Sequence, residues 1–283
     1  VTCPVVVCPS MNVHMWNHPA TQKNVAALRS HGTHILGPDS GMLACGYTGA
    51  GRLIDIEKLV QTIISFASVT KPLHGKKVIV TAGGTVEPID DVRVITNKSS
   101  GKMGVAIAEA AYQAGADVLL LRSKTSVTPR LGLAEEFFDT AESLEALMKK
   151  YCPSFDICIH AAAVSDFEVK NKQTGKTSSD QPLALKLEPR KKILESVKTY
   201  NPKIFLVAFK AEWGVSDKHL VELAKNRLSR AHADLIVAND VGREGQGFQS
   251  DENEVFLIDK KGHVTHLPKA AKSIIAQQII TLL

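Results

Sequence analysis

The chain has 283 residues, 44% of them hydrophobic and 22% charged, with a formal net charge of +5. That length allows one large or two ordinary domains. No apolar run reaches the ~20 residues of a membrane span, so no membrane partner is expected. Acids interleaved with bases argue against nucleic acid and suit a pocket for a phosphorylated small molecule. The five cysteines (Cys3, Cys8, Cys45, Cys152, Cys158) are odd in number and lack metal-ligand spacing, which points to a reducing, cytoplasmic setting.

In chain order, "VVVCPSMN" predicts a strand and a loop, and "PATQKNVAALRSHG" a helix with Pro19 near its start and Gly32 just past its end. "THIL" predicts a short strand, "GPDSGMLACGYTGAGR" a glycine-rich loop, and "IDIEKLVQTIISFA" a second amphipathic helix. The chain opens on Val1 without a targeting signal and reads as the tail of something longer. The polar stretch "SVTKPLHGKK" predicts a linker, dividing residues 1–70 from 71–283.

Beyond it, the strands "KVIVTA", "DVLLLRS", "EFFDT", "DICIHAA", "IFLVAFKA" and "DLIVAND" alternate with helical runs starting near Gly101, Ala141, Arg190 and Ser216. Most of these strands are continuous apolar runs, as in a parallel sheet covered on both faces. "NEVFLIDKKGHVTHLP" predicts a hairpin turning at Lys261 and Gly262, followed by a terminal helix. The expected fold is α/β: a doubly wound, mostly parallel, Rossmann-like sheet with an antiparallel edge, preceded by a partial flavodoxin-like α/β segment. "KNKQTGKTSSDQP", residues 170–182, predicts a mobile polar loop.

The chemistry concentrates in "VTAGGTVEPIDDVRVITNKSSGKMG", residues 80–104. Gly83 and Gly84 follow a strand end, and Ser100 and Gly101 open a helix whose free N–H groups favour an anion. A dinucleotide turn needs its glycines within about six residues. Gly83 and Gly101 stand eighteen positions apart (101 − 83), which disfavours a nicotinamide site. The polar insert between them carries Glu87, Asp90, Asp91, Arg93 and Asn97 and can position a carboxylate or phosphate. "AAAVSDF" places small residues and Asp166 after a strand, and "LIVANDV" places Asn239 and Asp240 after another. Each is ambiguous alone, since an Asp after a strand is often a helix cap. Lys176 reads either as a solvated loop lysine or as a cation that closes onto a reacting phosphorus. His160 reads as a packed residue rather than an acid–base group.

Seven stretches, "PSMN", "ACGYTGAGR", "TAGGTVEPIDDVRVITNKSSGKMG", "AAAVSDF", "GKTSSD", "LIVANDV" and "GFQSDENEV", together resemble the bifunctional coenzyme A biosynthesis flavoproteins, in the family's order and essentially end to end. The resemblance implies that residues 71–283 are a phosphopantothenate–cysteine ligase and residues 1–70 the C-terminal part of a flavin-dependent decarboxylase. It implies activation of 4′-phosphopantothenate by CTP as an acyl-cytidylate, displacement of CMP by the amine of L-cysteine, and Mg²⁺ held mainly by the triphosphate. By position, Asn97 handles the acyl intermediate, Arg93 is the cation of the same element, and Lys176 assists activation. His160, Ala161, Ala162 and Asp166 line the cytidine site, with Phe209 and Arg227 as further contacts. In the decarboxylase half, Asn12 binds the substrate carboxylate and Cys45 donates a proton, against the plain reading of Cys45 as a buried free thiol. FMN serves that half in the complete parent, but the phosphate-binding turn and histidine of the flavin half are not in this chain. The resemblance also implies ligase-domain homodimers, assembling further through a complete flavin half.

The chain departs from the family in places. "GKTSSD" keeps only the first of three loop lysines, "EPRKKIL" replaces another family run, Arg227 stands where a lysine is common, and Ala231 replaces a base. These departures leave CTP against ATP open, since some relatives use ATP. The competing readings are a nicotinamide oxidoreductase and a non-catalytic inhibitory subunit. The first lacks its glycine turn, and the second has no need of Asn97 or Lys176.

Overall fold

The computed structural model describes residues 5–43, 46–67, 71–172, 174–176, 178 and 182–283, and the chain divides into two compact units, Val1–Thr70 and Lys71–Leu283. Among the described residues no helix is long and apolar enough to cross a membrane.

In the first unit, strands β1 (Val6–Val7) and β2 (His34–Ile35) pair in parallel. Between them lie helices α1 (Val13–Asn17) and α2 (Pro19–Ser30), and α2 starts with Pro19 because a first-turn residue needs no N–H partner. The stretch expected as a glycine-rich loop is instead an antiparallel hairpin of β3 (Asp39–Met42) and β4 (Thr48–Arg52), followed by α3 (Ile56–Ala67). The pairing is a main-chain property that no alternation of side chains announces. Gly51 also lets β4 touch residue 11: a Cβ there would stand 2.1 Å from the Met11 carbonyl oxygen.

The second unit is built on eight strands. They are β5 (Lys77–Ala82), β8 (Asp117–Ser123), β9 (Ala134–Phe138), β10 (Ile157–His160), β13 (Phe205–Glu212), β14 (Leu235–Asp240), β15 (Glu252–Asp259) and β16 (Val264–Ala271). Their order across the sheet is β16-β15-β14-β13-β10-β5-β8-β9. The six strands from β9 to β14 are parallel, and β15 and β16 form the antiparallel edge. Successive residues of β5 serve opposite faces. Val78 and Val80 join the core under α4 (Lys102–Gln113) and α8 (Lys272–Thr281). Ile79 joins the core under α5 (Ala141–Tyr151), α6 (Ile193–Tyr200) and α7 (Asp217–Ala231). Each of these fully buried side chains contributes roughly 1.5–3 kcal/mol, and double-faced burial is why the strands read as unbroken apolar runs.

Two small hairpins stand on the carboxyl side of the sheet. The polar insert folds as β6 (Val86–Pro88) and β7 (Val94–Thr96), and its turn closes on Asp90, whose carboxylate accepts from the N–H groups of Val92 and Arg93 and from Arg93 Nε. The second joins β11 (Phe167–Val169) to β12 (Leu187–Pro189); of the polar tract expected as a mobile loop, residues 173, 177 and 179–181 lie outside the described residues. The helix expected from Arg190 begins at Ile193 instead. Arg190 N–H donates to the Asp166 carbonyl at 2.9 Å, which keeps that residue in the hairpin.

Candidate active site

Strand order reverses between β5 and β10, and a doubly wound sheet opens its ligand crevice at such a switch point. Past the two strand ends the backbones stay zipped: Ala163 N–H donates to the Gly83 carbonyl at 2.8 Å and Thr85 N–H to the Ala163 carbonyl at 3.2 Å. The β6–β7 hairpin then loops out and returns to start α4. Gly101, at φ 76°, caps that helix without a side-chain hydrogen bond. A Cβ on Gly101 would stand 3.2 Å from Gly83 N and 2.5 Å from Ser126 Cβ. Glycines eighteen positions apart in sequence therefore meet in space, and the first N–H groups of α4 face the crevice without a capping side chain.

Over this helix end lies a cavity of about 310 Å³, bounded by the residues after β5, β10, β13 and β14. Its lining includes six basic side chains, Lys102, Lys191, Lys192, Lys210, Arg227 and Lys272, against one acid, Asp166. Several are partly neutralised: Lys192 by Asp166, Lys210 by Glu212, Arg227 by Glu195 and Lys102 by Asp251. The balance suits a polyanionic ligand. A second hollow, of about 590 Å³, lies toward the β6–β7 hairpin and is lined by Val86, Val94 and Thr96. Asn97, Ser99, Ser100 and Lys102 line both spaces, so this segment is their common wall. Asn97 Nδ2 donates to the Ala163 carbonyl at 3.1 Å, which braces the wall against the end of β10.

Of the residues singled out from the sequence, Asn97, Ser100, Gly101, His160, Ala161, Ala162, Asp166, Phe209, Arg227 and Asn239 all line the cavity. His160 is buried, with Nδ1 2.9 Å from the Thr81 hydroxyl, and burial lowers its pKa to about 4, so its ring is neutral. Gly83 and Gly84 are not among the lining residues; they pack behind the wall, Gly83 against Ser123 and Ser126 and Gly84 against the Asn97 carbonyl. Asp240 is buried beneath the site. Its desolvation is outweighed by N–H donors from Gly242, Gly214 and Val215, which with Arg243 hold its carboxyl below the usual range. Arg93 pairs with Asp90 in the hairpin turn. Lys176 is exposed and outside the cavity lining. Its neighbour Gly175 donates its N–H to Asp91 at 2.7 Å, which ties the two hairpin tips together. In the first unit, the Asn12 carboxamide caps α1 by accepting from His14 N–H at 2.8 Å. Cys45 lies outside the described residues.

Sequence reasoning gave no site role to Lys272 and Lys210, nor to Lys191, Lys192, Gly247 and Phe248, although these last four fall in the noted stretches "EPRKKIL" and "GFQSDENEV". Lys272 opens α8 yet is buried, and its ammonium donates to the carbonyls of Gly247, Phe248 and Ser250. Its position in "AAKSIIAQ" looks like an ordinary helix start, and only the tertiary fold brings it to the cavity.

Residues 73–283 match the family described as the DNA/pantothenate metabolism flavoprotein C-terminal domain, and residues 1–68 match the family described as flavoprotein. The chain is similar to the coenzyme A biosynthesis bifunctional protein CoaBC of Thermococcus kodakarensis, 40% identical over 277 residues, covering 98% of this chain and 66% of that protein. The protein of the same description from Bacillus subtilis is 41% identical over 284 residues, covering 99% and 69%. Among solved structures, the DNA/pantothenate metabolism flavoprotein from Streptococcus pneumoniae aligns with a TM-score of 0.66 at 29% identity, covering 74% of this chain and 98% of that one. The chain thus spans about two thirds of the length of these curated relatives.

Proposed function

This chain belongs to the DNA/pantothenate metabolism flavoprotein family, and on that footing we propose that residues 71–283 ligate 4′-phosphopantothenate to L-cysteine in coenzyme A biosynthesis. The carboxylate of phosphopantothenate attacks the α-phosphorus of CTP, giving an acyl-cytidylate and pyrophosphate. The cysteine amine then attacks the acyl carbon, expelling CMP and forming the amide. The observation that carries this reading is the shared wall: one segment, beginning at Asn97, faces two adjoining hollows. A nucleotide in one and an acid in the other bring their reacting atoms together at that wall.

The basic lining suits the triphosphate, which repels an incoming carboxylate until its charge is cancelled. The first N–H groups of α4, beside Ser100, take the anion, and Asn97 orients the acyl carbonyl for the amine. Lys176 is assigned to cancel charge on the reacting phosphorus. Mg²⁺ enters as part of the nucleotide substrate; among the described residues no group of three or more His, Cys, Asp or Glu side chains is placed to hold a metal. We assign the cytoplasm as the setting and a homodimer through residues 71–283 as the assembly.

Residues 1–70 are assigned to the FMN-dependent decarboxylation of the product to 4′-phosphopantetheine in the bifunctional protein, with Asn12 on the substrate carboxylate and Cys45 as proton donor. The flavoprotein match supports FMN in that half. The glycines of β4 are nevertheless filled from within the unit, Gly51 by Met11 and Gly49 by Val13. They offer no cradle for a flavin.

The test is a product assay with CTP, ATP and UTP in turn. The reading predicts pyrophosphate release that needs phosphopantothenate and CTP, and CMP with amide only when cysteine is added. Pyrophosphate release independent of phosphopantothenate contradicts it.

A further inference from the structure

Lys272 stands where two physical effects oppose it. A cation at the first position of a helix meets the positive end of the helix dipole, and a buried ammonium loses its hydration. Burial, with Lys102 nearby, lowers the pKa of Lys272 to about 8. Its hydrogen bonds run not to a carboxylate but to main-chain carbonyls: Ser250 at 2.6 Å, Phe248 at 3.4 Å and Gly247 at 3.5 Å. These residues belong to a strap linking β14 to β15.

The strap is held from the opposite side as well. Ser100 Oγ donates to the Phe248 carbonyl at 2.5 Å, and Lys102 Nζ to the Gln249 carbonyl at 2.8 Å. Four consecutive carbonyls, 247 to 250, are thus taken up by donors from the starts of α4 and α8. Gln246, Gly247 and Phe248 line the cavity facing the open N-terminus of α4, and so does Lys272.

We infer that Lys272 is a positioning residue: by gathering the carbonyls of the 247–250 strap it fixes the cavity wall beside the N-terminus of α4, and so sets ground-state binding of the anionic substrate. A lysine that only completed the core would do so at less cost as an apolar side chain. What the ammonium adds is a set of donors that an apolar residue cannot supply to carbonyls already turned inward.

The test compares the full chain with Lys272→Met by hydrogen exchange and by calorimetric titration with CTP. Lys272→Met is expected to speed exchange of the strap amides about tenfold or more while amides in the middle of α4 and α8 stay within about threefold. CTP binding is expected to weaken about tenfold in the titration. Strap exchange as slow as in wild type, or acceleration spread evenly over α4 and α8, overturns the inference. If Lys272→Met does not fold, the same outcomes are read on Lys272→Leu, which likewise supplies no donor to the strap. The titration rests on the ligase reading and the exchange does not. Wild-type protein that fails to bind CTP therefore counts against that reading alone, and strap exchange decides the role of Lys272.

Discussion

The wall around Asn97 and the hairpin tip around Lys176 carry two residues of the same proposed reaction, yet they are held in opposite ways. The wall is braced at every level: Gly83 and Gly101 touch, Ala163 pairs with Gly83, and Asn97 is tied to Ala163. Lys176 hangs from an exposed connection secured to Asp91 through Gly175. A group that must place an acyl carbonyl to a fraction of an ångström belongs on a rigid element, whereas a cation that closes over a nucleotide has to let it in first. Substitutions at the wall should therefore disturb stability and chemistry together, and substitutions at the tip chemistry alone.

The sharpest way to break this contrast is Gly101→Ala. At φ 76° with a Cβ 2.5 Å from Ser126 Cβ, alanine adds strain and overlap and is expected to cost about 2–4 kcal/mol in urea unfolding, with nucleotide binding lost in parallel. Unchanged stability removes the claim that the glycines are held by contact.

His160 tests the wall by pH. Burial lowers its pKa to about 4 from 6.5. Between those values the unfolded chain takes up a proton that the folded chain does not. Its contribution is therefore whole above pH 6.5 and lost as pH falls to 4, about 3 kcal/mol in all. His160→Gln should flatten that acid limb of the unfolding curve; a limb of undiminished slope assigns the acid sensitivity elsewhere.

At the tip, Lys176→Ala is expected to slow pyrophosphate release about tenfold and leave the thermal midpoint where it was, since the side chain is exposed. A lowered midpoint would place Lys176 in the frame.

The same contrast marks what could be read before the fold was seen. The buried wall announces itself: "KVIVTA", "DICIHAA" and "DLIVAND" are apolar without a break because helices cover both faces, and strand ends locate the crevice. The small hairpins do not announce themselves. β3–β4 and β6–β7 rest on main-chain pairing and on turns such as the one Asp90 closes, which leave little periodicity behind. Gly83 and Asp240 sit beside the site in sequence and behind it in space. Lys272 is distant in sequence and lines the cavity, because α8 follows the antiparallel edge in the chain and packs back onto α4.

The central claim is that the common wall turns an activated acid into an amide, and Asn97→Asp in a single-turnover quench with labelled CTP addresses it most directly. The exchange keeps side-chain volume and removes the donor to Ala163. The account predicts normal pyrophosphate release, an acyl-cytidylate that builds up to the enzyme concentration, and amide formation slowed about 10²–10³-fold when cysteine is added. Amide formed at the wild-type rate, with no intermediate accumulating, would contradict it.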